Sequence, residues 1–315
     1  MSNCTTNHSH YNCWRLGSDI SVGVNIACVV INVIHLMVIL SIKSLSGKVY
    51  KKILISQAVQ DISVGIMYCL TFSCGINRHM LMIPPGTKLP IILIRNALSE
   101  GLATSRFSLF CVALADRYIA ICKPLTYHGH FMRRHFEKLL TLSFLVPVAY
   151  KGIFSAIYAD AMCVDNIAGS RHMSNGNLFS NFMDFCSVLI ISLIFIMFFV
   201  INIVRELRRS LDSSRQQGLY NERSDLRRAT VYILVSCAAY IVLFAPILPC
   251  GVLYSLQPNN LTYIAFAYAC LTCQAVYGMI NVVIFIGMHQ HYYKRLWTSM
   301  MSCKLLRSKR VEPLT

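Results

Sequence analysis

From Ala229 to Tyr293 the chain runs for 65 residues without one Asp, Glu, Lys or Arg. Soluble proteins are about one-quarter charged, so an uncharged stretch of this length belongs in a bilayer. A membrane-spanning helix needs about 20 mainly apolar residues, so the stretch is too long for one span. "SLQPNNL", Ser255–Leu261, divides it, because Pro and Asn mark turns. Two helices are expected, about Ala229–Tyr254 and Thr262–Gly287.

Five apolar runs precede these two. They are Ile20–Ile42, Ile53–Asn77, about Leu89–Cys122, Leu139–Ala159 and about Leu178–Val204. Few charges interrupt them: Asp61 in the second, Arg95, Glu100 and Arg106 in the third before Asp116–Arg117 at its exit, Lys151 in the fourth, Asp184 in the fifth. Seven spans place the two termini on opposite sides. The intervening charges give the direction. Lys43–Lys52, Arg117–Lys138, Arg205–Arg228 and Lys294–Arg310 hold 22 of the 29 basic residues. These alternate segments face the cytoplasm by the positive-inside rule, which leaves the N-terminus outside. Two N-glycosylation tripeptides, at Asn3 and Asn7, lie on that outer side. The expected layout is an extracellular segment 1–19, a seven-helix bundle 20–288, an interfacial helix 289–303 and a cytoplasmic tail 304–315. The fold class is an all-α membrane protein: a seven-transmembrane bundle with a short amphipathic eighth helix.

Composition closes off other classes. The chain is 56% hydrophobic and 13% charged, with mean hydropathy +0.55. Its net charge of +16 is distributed between apolar runs, not along one basic face, so no nucleic-acid partner is expected. Residues 1–19 show no apolar segment before a cleavage site, so the first run is expected to act as its own insertion signal. Fourteen cysteines are scattered along the chain, mostly inside apolar runs. No metal, no cofactor and no enzymatic nucleophile–base set is expected.

Arg106 is a permanent charge within an otherwise apolar run. A charge at the bilayer centre costs about 2.5–3.5 kcal/mol on insertion scales and normally has a partner within the bundle. Arg106 lies eleven residues before Arg117, the cytoplasmic exit of the third run. That is about 16 Å of helix. Asp61 lies nine residues beyond Lys52, about 14 Å along the preceding helix. Asn32 and Asn281 lie at similar depth. These four residues are expected to form a buried polar layer centred on an Asp61–Arg106 ion pair.

The third run exits through "DRYIAICKPLTYH", Asp116–His128. This resembles the rhodopsin-like, or class A, G-protein-coupled receptors, and its wording is especially similar to odorant-type and trace-amine-type members. Asn32, Asp61, Pro246 and Asn281 stand where the family has its helix-one asparagine, helix-two aspartate, helix-six proline and helix-seven asparagine. The resemblance implies a receptor in the plasma membrane with an extracellular ligand of unstated class, a heterotrimeric G protein and membrane lipids as partners. It implies a coupling end made of Asp116, Arg117 and Tyr118, with Pro246, Asn281 and Phe285 in the switch. Pro246 kinks helix six, so that its cytoplasmic end can swing outward as a rigid body. The family's second acid is expected near Leu226, and Asp225 adjoins it. "HQHYYKRLWTSMMSC", His289–Cys303, suits an interfacial helix, with Cys303 as a palmitoylation candidate.

Several positions depart from the family pattern. Val282 and Phe285 replace the proline and tyrosine of Asn-Pro-x-x-Tyr, and Phe244 stands where tryptophan is usual. Ile92 occupies the usual disulfide position. Arg106 stands where the resemblance implies a group that helps hold sodium beside the helix-two aspartate. A guanidinium there takes the cation's place, so insensitivity to sodium is expected.

Ser99, Glu100, Asp184, Phe244, Tyr254 and Gln274 are candidates to line an outer pocket. Glu100 and Asp184 could hold a cationic ligand, or pair with Arg95, Lys151 or Arg171. A non-signalling receptor-like partner or decoy is the alternative to a signalling receptor, and a transporter is a third reading.

Overall fold

The computed structural model describes residues 3–41, 48–73, 85–127, 129, 131–157, 190–209, 224–244 and 261–289. Seven long helices lie among these residues. They are α1 (Asn3–Ser41), α2 (Lys48–Ser73), α3 (Pro85–Cys122) and α4 (Phe136–Ile157), then α5 (Ile190–Arg209), α6 (Ser224–Phe244) and α7 (Leu261–Met288). Two four-residue helical turns, Pro124–Tyr127 and Phe131–Arg134, join α3 to α4. Three helical stretches are long and apolar enough to cross a membrane by composition alone: Asp19–Ser41, Val49–Leu70 and Ile190–Arg209. α7 carries a shorter apolar stretch, Thr272–Met288.

Proline sets the limits of α3. Pro85 starts it, where a missing N–H costs nothing. Pro124 ends it, because the residue before a proline disfavours helical backbone, and Lys123 is non-helical. α1 starts at Asn3, well before the apolar run does. The polar residues 3–19 therefore continue the helix beyond the span, and its 39 residues extend about 58 Å.

α1 packs against α2 and α7, α3 against α2, α4 and α6, and α6 against α7. α5 meets α3 through Tyr118, whose ring lies 5.7 Å from that of Phe199. α3 and α4 approach closely at Gly101, where an added Cβ would lie 2.6 Å from the Val148 Cα. Small residues permit such contacts between membrane helices.

The exposure pattern is inverted relative to a water-soluble protein. Large apolar side chains point outward, among them Ile26, Ile34 and Met37 on α1, and Ile191, Ile194 and Phe198 on α5. The interior holds Asn25, Asn32, Gln57, Gln60, Asp61, Arg106 and Asn281. Lipid tails are as apolar as leucine, so outward Ile and Phe lose nothing, while polar groups must find partners inside.

Candidate functional site

Two polar centres are stacked along the bundle. The inner one forms around Arg106, which is 4% exposed, and Asp61, which is 2% exposed. Arg106 Nη2 donates to Asp61 Oδ1. Nη1 donates to the Gln274 carbonyl oxygen at 3.4 Å. Two tyrosine rings flank the guanidinium, Tyr277 at 4.8 Å and Tyr240 at 5.6 Å from centroid to Cζ. Cation–π contacts of this kind strengthen when desolvated. Arg106 thus ties α3 to α2, α6 and α7 in one layer. The gap lined by Gln57, Asp61, Arg106, Tyr277 and Asn281 leaves no room for a water molecule.

Asn32 and Asn281 occupy the same layer but bond differently. Asn32 Nδ2 donates to its own helix at the Cys28 carbonyl, 3.0 Å. Asn281 Oδ1 accepts from Tyr232 at 2.7 Å and from Ser236 at 2.9 Å, both on α6. Gln60 Nε2 donates to Ser105 Oγ at 2.7 Å, a second tie between α2 and α3. Gly278 lets α7 enter this layer: a Cβ there would lie 2.7 Å from Cys28 Sγ and 3.2 Å from Asp61 Cγ.

The second centre lies at the C-terminal end of α3. Asp116 and Arg117 are both buried. Arg117 donates through Nε at 2.9 Å and through Nη2 to Asp116 Oδ2. Tyr127, on the turn after α3, donates to the other oxygen, Oδ1, at 3.0 Å. Burial, then the Asp116 charge, pushes the Tyr127 phenol up to about 12, so it stays a donor. Arg133 lies over the Tyr127 ring at 5.1 Å. The pair is sequestered, so the small value of an exposed ion pair does not describe it. Beside it Leu125 is 98% exposed. On the nearby surface Lys52 donates to Glu137, which lowers that carboxyl.

Phe285 packs between His35, at 4.8 Å edge-on, and His289, at 4.6 Å stacked. Tyr118 faces α5. Ser99 is half-buried on α3. Gln274 is buried, with its backbone oxygen turned to Arg106. Lys151 is also buried, with its ammonium 5.7 Å from the Phe154 ring centroid. The side chains of Asn3, Asn7, Glu100, Asp225, Leu226 and Phe244 lie outside the description, as do the whole residues Asp184, Pro246, Tyr254 and Cys303.

Sequence reading missed Tyr232, Ser236, Tyr240, Tyr277, Gln57, Gly278, Leu125 and Tyr127. One signal was present: Tyr232, Ser236 and Tyr240 recur every four residues, a hydroxyl stripe on one helix face.

An all-helical bundle with an inverted surface, a charged layer at mid-depth and a sequestered Asp-Arg at one end is the architecture of a seven-helix membrane receptor. The family described as 7 transmembrane receptor (rhodopsin family) matches residues 31–285, and the chain belongs to that family. Its members are multi-pass plasma-membrane receptors that generally couple to G proteins, and they are generally not enzymes. No curated protein matches the chain.

Proposed function

We propose that the chain is a ligand-activated receptor that engages a heterotrimeric G protein through the cytoplasmic end of α3, with a chemosensory ligand. The observation that carries this is the sequestered Arg117, held by Asp116, with Tyr127 closing the other face of the carboxylate. An arginine stored in this way can be released to a partner when α6 moves. Leu125, fully exposed on the turn beside it, offers that partner an apolar anchor.

Phe285 favours a second reading. It carries no hydroxyl, and its ring is stacked on His289, so one part of the family's switch is absent. A receptor-like protein that binds ligand without signalling fits that feature.

One experiment separates the two. Cells carrying the receptor and a promiscuous G protein are screened with small amines, volatile compounds, lipids and peptides. The coupling reading expects a response that Arg117→Ala abolishes at equal surface expression. A response that survives Arg117→Ala contradicts it, and silence toward ligands that bind supports the non-signalling reading.

A further inference from the structure

α6 carries Tyr232, Ser236 and Tyr240 at intervals of four, which stacks them on one face. All three are 0% exposed. The Tyr232 hydroxyl donates to Asn281 Oδ1 at 2.7 Å and lies 3.2 Å from Gln57 Oε1. Ser236 Oγ donates to the same Asn281 oxygen at 2.9 Å. Both lone pairs of that oxygen are therefore filled from α6. The Tyr232 ring also meets Tyr50 at 6.0 Å, Phe285 at 6.0 Å and His289 at 6.3 Å. One rung above, the Tyr240 ring packs beside Arg106.

These contacts join α6 to α7 and α2, whereas the Asp116–Arg117 pair, among the described residues, is held within α3 and the turn after it. Among the described residues, both Arg117 hydrogen bonds to a side chain go to Asp116, its own neighbour. The Asp116 oxygen left over accepts from Tyr127, which is on the turn after α3. In a dry interior a hydroxyl drawn away from its acceptor meets no water, so the separation is resisted in full.

We propose that Tyr232 and Ser236 are positioning residues that latch the cytoplasmic half of α6 onto Asn281 in the resting receptor, so that outward movement of α6 must strip both hydroxyls from that one oxygen. The proposal rests on the receptor reading above, in which α6 is the moving element.

The test uses the purified full-length receptor in nanodiscs of phosphatidylcholine and phosphatidylserine, read by hydrogen–deuterium exchange along α1, α3 and α6, with the unfolding temperature alongside. Tyr232→Phe keeps the ring and removes its hydroxyl. Ser236→Ala removes the other, and Ser236→Thr retains it. Tyr232→Phe and Ser236→Ala are each expected to speed exchange in α6 residues 227–236 about tenfold relative to α1 and α3. Ser236→Thr is expected to match the wild type. Unchanged α6 exchange in the folded variants, or equal acceleration in every helix, overturns the latch. If Tyr232→Phe does not fold, the Ser236→Ala and Ser236→Thr pair decides by the same criteria. G-protein nucleotide exchange is measured separately: faster α6 exchange with no G-protein activation upholds the latch and removes the coupling reading.

Discussion

Arg106 on α3 donates to Asp61 on α2, and neither side chain is more than 5% exposed. Two opposite charges taken out of water need close geometry and further hydrogen bonds to offset their desolvation. The Gln274 carbonyl and the two tyrosine rings supply that surround for the guanidinium. The cation at the centre of this bundle is thus part of the chain.

A tethered cation leaves no function for a dissolved one. The purified receptor is expected to unfold at the same temperature in sodium chloride and in potassium chloride of equal ionic strength. A sodium-specific rise would mean that Arg106 can vacate its place beside Asp61.

Tyr127→Phe removes the donor to Asp116 Oδ1 and is expected to cost about 1–2 kcal/mol, read as a lower unfolding temperature. The phenol titrates at about 12 in the folded chain and near 10 when unfolded. Its raised value contributes stability that is fully present below pH about 10 and is lost as pH rises through about 12. The gap between wild type and variant is therefore expected to be flat from about pH 6 to 9. A gap that changes across that range would place the phenol elsewhere.

Gly278→Ala should be destabilising although alanine is the better helix former. The added Cβ would sit 2.7 Å from Cys28 Sγ, with Asp61 Cγ on its other side at 3.2 Å. Overpacking of this kind costs about 1–3 kcal/mol. Cys28→Ala removes the sulfur, and the double variant is expected to recover part of the lost unfolding temperature. A double variant no better than Gly278→Ala alone would contradict the contact.

Leu125→Asp places a charge on a side chain that is 98% exposed. Folding should be unaffected, within about 0.5 kcal/mol for a surface change. G-protein activation should fall at least tenfold at equal surface expression. Full activation by the variant would remove Leu125 from the coupling surface.

The bundle was legible because membrane helices are written as run length and flanking charge. Counting residues from the basic ends gives depth, and so sets Asp61 and Arg106 at one level. It does not give rotation about the helix axis. That is why Asn32, at the same depth, bonds its own helix, and why the donors to Asn281 were not foreseen from residues some 45 positions away. Tyr240 and Tyr277 were illegible for another reason: an aromatic in a span reads equally as packing, as interfacial anchor or as the wall of a cation cage. The start of α1 at Asn3 was hidden because polar residues outside the bilayer carry no apolar periodicity.

A double-mutant cycle on unfolding temperature, with Asp61→Asn, Arg106→Gln and the two combined, tests the central pair most directly. Each single variant leaves one buried charge unpaired and is expected to lose about 3–5 kcal/mol, while the double variant, with neither charge, should recover most of that loss. A double variant whose loss equals the sum of the two singles would contradict the pairing.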